Sequence, residues 1–201
     1  NVFENYNRAF WPAQIVLFLL ALFAVFYLVK KSRQSSRLVF AILSFLWLWM
    51  GFSYHILFFS AINNVAYIFG IAFILQGMLF LYHGVLKQNL ALKFTTRAPG
   101  MTGLILLAYA LVIYPLLSFA GGRIYPGTPT FGVPCPTTIF TLGLLMFSSK
   151  KIPWYTAVIP LLWSVIGFSA AVHLSVREDF GLFIAGVLLT LFMFFYAHES
   201  K

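Results

Sequence analysis

What most constrains this chain is how thinly charge is spread along it. It carries 13 basic and 4 acidic side chains in 201 residues, and none falls in the interior of any long apolar run. A soluble domain uses about 25% charged residues to cover its surface. With 8% charged and 62% hydrophobic residues, no such coat can be assembled. That excludes an ordinary cytosolic enzyme and a disordered tail. A secreted disulfide scaffold is excluded as well, because the single cysteine, Cys135, has no partner for an internal bridge. Twenty-four Phe, ten Tyr and five Trp suit packing in lipid and anchoring at its edges. The chain reads as an all-α integral membrane protein whose first partner is the lipid bilayer.

A helix needs roughly 20 apolar residues to cross a hydrocarbon core of about 30 Å. By that ruler one transmembrane domain, 1–201, holds seven segments, at 13–29, 38–60, 65–86, 101–120, 133–149, 152–173 and 180–197. The links between them alternate in charge. Lys30, Lys31, Arg33 and Arg37, then Lys87, Lys93 and Arg97, then Lys150, Lys151 and Lys201 fall on one side, ten in all, against Arg8, Arg123 and Arg177 on the other. Glu4, Glu178 and Asp179 lie on the poor side and Glu199 on the rich side. The positive-inside rule then places the N-terminus outside and the C-terminus in the cytoplasm. The net charge of +9 is thus spent in short topology clusters and forms no contiguous basic face for nucleic acid.

Ahead of the first segment, Val2, Phe3, Tyr6, Phe10 and Trp11 recur at helical spacing, so residues 1–12 are expected to lie flat in the outer interface. The first apolar run does not read as a signal peptide. It lacks a basic region before it, and Lys-Lys-Ser-Arg follows it instead of a small-residue cleavage site. Trp11, Trp154 and Tyr196 fit the two interfacial belts. The second and sixth segments share a pattern, Gly51-Phe52-Ser53 before His55 and Gly167-Phe168-Ser169 before His173. An aromatic-Gly pair follows each, Phe69-Gly70 and Phe180-Gly181. This points to two parallel three-helix units joined by the fourth segment, a 3+1+3 plan. In architecture alone it resembles the SWEET sugar transporters, without their proline-glutamine signature.

The most irregular stretch runs from Gly121 to Thr138 and contains four glycines and four prolines, which preclude a regular helix. Beyond Pro136 only 13 residues remain before Lys150, roughly 20 Å of helix at 1.5 Å per residue, too short to span. Two readings stay open. One is an ordinary outer loop with proline in the first helical turn. In the other, Val133 to Pro136 dips into the membrane as irregular backbone, tolerated only where protein or a wet cavity covers it. A half-helix would then aim its N-terminus at a solute, capped by Thr137 or Thr138. The expected pore lining is Tyr54, His55, Pro134, Cys135, Pro136, Thr137, Thr138, Ser169, His173 and Asp179. Cys135, His55, His173 and Asp179 would be the ligands if a metal were held, and His55 with His173 the pair for a haem. No close ligand pair of the Cys-x-x-Cys kind exists, so no cofactor is expected.

Proton pumps commonly use carboxylates within the membrane, and the empty segment interiors favour a neutral solute or passive passage. Glu178 and Asp179 at the mouth of the seventh segment read either as helix caps or as a cation attractor. Ser44, Ser53, Tyr54, Tyr67, Gln76, Tyr109, Tyr114 and Ser169 would line a path or join helices. There is no phosphate loop, dinucleotide fingerprint or nucleophile-base set, so an enzyme is not expected.

Four stretches carry a resemblance: Asn7-Arg8-Ala9-Phe10-Trp11-Pro12, Trp49-Met50-Gly51-Phe52-Ser53-Tyr54-His55, Gly132-Val133-Pro134-Cys135-Pro136-Thr137-Thr138-Ile139-Phe140-Thr141-Leu142-Gly143 and Glu178-Asp179-Phe180-Gly181-Leu182. They resemble a family of small bacterial multi-pass proteins catalogued as a domain of unknown function and sometimes labelled transporter permease. The resemblance implies a bacterial inner-membrane location and brings no activity. On the residues, the expected function is a transporter or channel for a small, neutral solute. The alternative is a non-catalytic subunit of a larger membrane complex, with a haem or metal carrier as the third reading. A homo-oligomer or assembly with other membrane subunits is compatible with so apolar a body.

Overall fold

With few polar side chains in the apolar runs to compete, the backbone there satisfies its own N–H and C=O groups locally, and those runs form helices. The computed structural model describes residues 2–30, 34–174 and 176–195, without the side chains of 170 and 172–174. In chain order the helices are α1 (Val2–Ala9), α2 (Ala13–Val29), α3 (Ser35–Trp49), α4 (Ala66–Phe80), α5 (Ala98–Ala108), α6 (Tyr114–Ala120), α7 (Pro134–Leu145), α8 (Val158–Leu174) and α9 (Phe180–Phe195). Three π-helical turns interrupt them. Met50–Ile56 extends α3, Leu81–Leu86 extends α4, and Tyr109–Ile113 joins α5 to α6. Among the described residues the only β pairing is two isolated bridges, Leu92 with Ser148 and Phe131 with Val133.

Four continuous stretches, Ser35–Ala61, Ala66–Leu86, Ala98–Ala120 and Arg177–Phe195, are long and apolar enough to cross a membrane. The pair α1 and α2, bent by 87°, makes a fifth if counted as one span. The sequence reading counts seven. The difference is one of length, since α7 has 12 residues and α8 has 17, below the roughly 20 that a crossing requires. The outward faces are apolar. On α2, Ile15, Leu19, Leu22, Phe23 and Phe26 are exposed, and on α4, Ile68, Ile71, Leu75 and Met78. Contiguous apolar surface of this extent is rare on monomers in water and is compatible with lipid around the bundle.

The links gather at two ends. At one, the Lys93 N–H donates to the Phe147 carbonyl, Ser149 N–H to Ala91, and Leu92 N–H to the Ser36 hydroxyl. The links after α2, α4 and α7 are thereby joined, and Lys30, Arg37, Lys87, Lys93, Arg97, Lys150 and Lys151 are all exposed there. At the other end α1 meets the segment 121–133, and Arg123 meets Glu178. Lys31, Arg33, Tyr196, His198, Glu199 and Lys201 lie outside the described residues.

At the centre stands α7. Pro134 and every residue from Pro136 to Leu145 are buried, enclosed by α5, the Tyr109–Ile113 turn, α8 and α9. Trp47 of α3 reaches it too, donating from Nε1 to the Thr141 hydroxyl at 3.0 Å. In the first three-helix group α3 lies between α2 and α4, whereas in the second α9 packs on both α7 and α8. Gly51 lets α3 and α4 approach. A Cβ built there would meet the Gly70 carbonyl oxygen at 2.7 Å.

The segment expected to lie flat in the interface does turn sharply away from α2, and it is also stitched into the fold. Asn7 is fully buried. Its amide donates to the carbonyls of Pro126 (2.6 Å) and Thr128 (2.8 Å), and its Oδ1 accepts from Gln14 Nε2 (2.7 Å) and Thr130 Oγ1 (3.0 Å). Helix α1 and the glycine- and proline-rich segment form one cap over this end of the bundle.

Candidate functional site

The chain enters α7 through a turn built for the purpose. Gly132 has φ +99°, a conformation strained for any residue with a Cβ. Val133 is extended, with φ −92° and ψ 163°, and precedes a first turn containing Pro134 and Pro136. Helix starts leave their first four N–H groups without an intrahelical partner, and two of the four do not exist here. The helix can therefore begin inside protein with few unsatisfied donors. No side chain caps it from Val133. Thr137, expected as a cap, instead accepts the Gly132 N–H at 3.1 Å and in turn supports Thr141, whose hydroxyl donates to the Thr137 carbonyl at 2.8 Å.

Cys135 lies in this first turn, and its thiol faces the carboxylate of Asp179. Asp179 accepts from the Tyr114 hydroxyl at 2.6 Å. Its neighbour Glu178, 1% exposed, takes the guanidinium of Arg123, with Nη1 at 3.1 and 3.2 Å from its two oxygens. The Tyr109 hydroxyl holds the Glu178 carbonyl at 2.7 Å. The acidic pair thus bonds to other helices of the bundle. Two carboxylates of the link before α9 are folded inside because α6, α7 and the start of α9 converge here, and the 3₁₀ turn Arg177–Asp179 presents them inward.

On the far side of Cys135 lies α8. Gly167 separates the sulfur from the Trp163 indole, and a Cβ at Gly167 would stand 3.4 Å from Trp163 Nε1 and 3.7 Å from Cys135 Sγ. Trp163 Nε1 is buried, and the polar group it faces is the Cys135 thiol. Against the indole stands His55, with ring centroids 5.2 Å apart. His55 is fully buried, and neither ring nitrogen has a partner. Phe59, Phe69 and Phe73 pack around it, Phe73 at 4.5 Å. Tyr54 packs edge-on to His55, and its hydroxyl is electrostatically coupled to Cys135 and Asp179. Both residues belong to the π-helical turn Met50–Ile56. Such turns, common at functional sites, change the direction in which side chains leave the helix. Thr138 is three residues after Cys135, an interval that shares a helix face, and its hydroxyl is a further buried group without a partner.

Tyr54, His55, Cys135 and Asp179 are thus brought into one polar cluster, with Thr138 below Cys135 on α7. Pro134 and Pro136 shape the entry to the helix, and Pro136 also lines an apolar groove on the opposite side. Ser169 is exposed on α8, two residues from Gly167 and hence near the opposite helix face. His173 lies outside the described side chains. Among the described residues no three His, Cys, Asp or Glu side chains gather as a metal site requires. The rings of Phe73 and Trp163 occupy the ground beside the His55 imidazole where a haem would have to lie. Trp163, Tyr109, Tyr114 and Arg123 complete the cluster. Trp163 carries no sequence signal beyond that of an aromatic residue in an apolar run, Tyr109 and Tyr114 read as polar groups that would line a path or join helices, and Arg123 reads as a basic residue of a link.

The groove, about 630 Å³, runs between α2 and the α5–α6 arm. Ile15, Phe18, Leu111 and Phe119 give it an apolar lining, Gln14, Arg123 and Thr128 add polar groups, and Tyr114 forms part of its wall.

A model of a family of unknown function, DUF6064, matches residues 1–200. The chain belongs to this family. No curated protein and no solved structure matches it. Membership accounts for a whole-chain pattern in which motifs scattered from Asn7 to Leu182 meet in one fold, and the chemistry of the cluster rests on its residues.

Proposed function

We propose that the chain is a carrier for a small, neutral, polar solute in the bacterial inner membrane. Its solute site lies between the π-helical turn Met50–Ile56, the start of α7 and α8. One observation carries the reading: the His55 imidazole is buried beside the Trp163 indole with neither of its ring nitrogens satisfied by a protein group. Leaving a buried polar group unpaired costs about 1–3 kcal/mol, and a solute hydroxyl or amide would satisfy these groups. The short α7 enters from irregular backbone wholly covered by protein, as broken helices at transporter sites do. In this reading α2, the four long stretches and the shorter α7 and α8 make seven segments, with the basic end cytoplasmic. The 3+1+3 plan is then a parallel arrangement of connections, since the two groups pack in different orders. No enzymatic role is proposed.

The test is flux of radiolabelled polyols, monosaccharides, urea and simple amides into liposomes holding the purified chain. Trp163→Phe keeps the ring and removes the indole N–H, and Cys135→Ala removes the thiol. Each is expected to change flux of the transported solute at least several-fold in protein that still folds. Unchanged flux in both, or no flux of any solute, defeats the site.

A second reading, a subunit of a larger complex, has its own support in a furrow of about 350 Å³ between α8 and α9, lined in part by Ser164, Gly186 and Thr190. Small residues let another helix approach closely. Native mass in mild detergent separates the two readings. Fixed stoichiometry with unrelated chains supports the subunit.

A further inference from the structure

The two buried carboxyls at the outer end of α9 are treated differently by the fold. Glu178 is matched by a guanidinium that stays charged under all ordinary conditions. Asp179, 7% exposed, accepts a hydrogen bond from Tyr114 and faces the Cys135 thiol, neither of them a cation. A partner such as Arg123 makes sense only for an ionised carboxylate. A tyrosine hydroxyl and a thiol can each donate or accept, so they serve Asp179 with or without a proton. When the carboxyl gains one, the Tyr114 hydroxyl can still bond it, as donor to the unprotonated oxygen or as acceptor from the protonated one.

The site also lies below the surface. Tyr114 opens α6 and is six residues before Ala120, which places it about 9 Å down the helix, beneath the Arg123–Glu178 pair and the α1 cap. The charged or titratable groups facing Asp179 are Tyr114 and Tyr109 from the α5–α6 arm, Cys135 from α7, Tyr54 from the turn after α3, and Arg123 with Glu178 above. This donor set does not suit a metal cation, which needs several oxygen ligands. A proton needs one carboxylate and a route, and Tyr114, bonded to Asp179, stands in the wall of the groove.

We propose that Asp179 is a proton-binding carboxyl that exchanges with the outer side through Tyr114, and that solute movement is coupled to it. This rests on the carrier reading of the same site. In the transfer, a hydronium ion reaching the Tyr114 oxygen gives it a proton and departs as water, as the tyrosine passes its own to Asp179 Oδ1. One proton enters, the carboxylate becomes a carboxylic acid, and the phenol is unchanged. The absence of charge from the apolar runs had pointed to passive passage, and the folding of Asp179 into the bundle changes that expectation.

The experiment is infrared difference spectroscopy of the full chain in liposomes as external pH is stepped from about 9 to 4, the range in which perturbed carboxyls titrate. Wild type is expected to gain a protonated-carboxyl stretch that is missing from Asp179→Asn and displaced in Tyr114→Phe, where one hydrogen bond is gone. If Asp179→Asn fails to fold, Tyr114→Phe decides, and an unmoved band overturns the assignment. So does a wild-type spectrum without a titrating band. In the flux assay, acid outside should drive accumulation in wild type, and Asp179→Asn should lose accumulation while keeping downhill exchange. Flux indifferent to the pH gradient defeats the proton site and leaves the carrier. A titrating Asp179 band in a protein that moves no solute defeats the carrier and the coupling and leaves the proton-binding carboxyl.

Discussion

Replacing Asn7 with alanine should free the cap formed by α1 and the 121–133 segment. The Asn7 side chain makes four hydrogen bonds, two donated to carbonyls of the 121–133 segment and two accepted from Gln14 and Thr130. Their partners do not suffer equally. The Pro126 and Thr128 carbonyls and Thr130 are half-buried and can turn to water, whereas Gln14 is buried. Gln14 keeps one fallback, the Asn7 main-chain carbonyl at 3.2 Å. Taking about 1 kcal/mol for each bond that water partly replaces, the lower end of the range for a lost buried partner, the cap loses about 2–4 kcal/mol. At 1.4 kcal/mol per tenfold, local opening becomes roughly 30- to 700-fold more frequent, and proteolysis limited by opening follows that population. Arg123, held by Glu178 in the same segment, supplies a tryptic site, so the assay is the rate of cleavage after Arg123 in detergent-solubilised protein. Asn7→Asp sharpens it. The carboxylate keeps both acceptor contacts and turns its other oxygen on two carbonyls, so cleavage should be at least as fast as in the alanine variant. A rate equal to wild type in either variant refutes the view that hydrogen bonds to Asn7 hold the cap.

Two other substitutions probe the packing and the cap. Gly51→Ala places a methyl 2.7 Å from the Gly70 carbonyl oxygen and 2.8 Å from Ile74 Cγ1. It should cost about 1–3 kcal/mol as an overpacked contact, read as a lower Tm in detergent, and an unchanged Tm would show that α3 and α4 adjust freely. Burial pushes the Tyr6 phenol from 10.0 up to about 12, against a smaller lowering from the Trp49 N–H bond. The unfolded phenol ionises first, so the stability held by this group is complete below pH 10 and is lost as pH rises towards 12. Wild type should therefore lose stability more steeply than Tyr6→Phe across that window, and parallel curves would contradict the burial argument.

The helical character of the chain was legible because a residue such as Phe23 or Leu75, in a long run without charge, has few structures open to it. The apolar run did not reveal depth. Residues 133–149 read as a crossing, yet α7 ends at Leu145 and the chain turns into Ser148 to pair with Leu92. Apolar content is the same for a helix facing lipid and one buried by other helices. Within the candidate site, Cys135, His55, Tyr54 and Asp179 stood out because each is a polar or reactive side chain in an apolar setting. Trp163 did not, because an indole is ordinary membrane vocabulary until its neighbours are known, and Tyr114 entered only among the interior polar groups that would line a path or join helices.

What the sequence determined by itself is the helical character of the chain and the order of its apolar helices, since hydrophobicity and the need to pair backbone groups act locally. Its basic links likewise mark one end of the bundle. The tertiary structure alone decided which groups share an environment. Asn7 lies more than a hundred residues from the carbonyls it binds, and Tyr114 is 65 residues from Asp179. Asp179 reads as a cap at the mouth of a helix until α6 and α7 close over it. Whether a carboxyl faces water or a phenol and a thiol depends on the approach of distant segments, and no local rule encodes that.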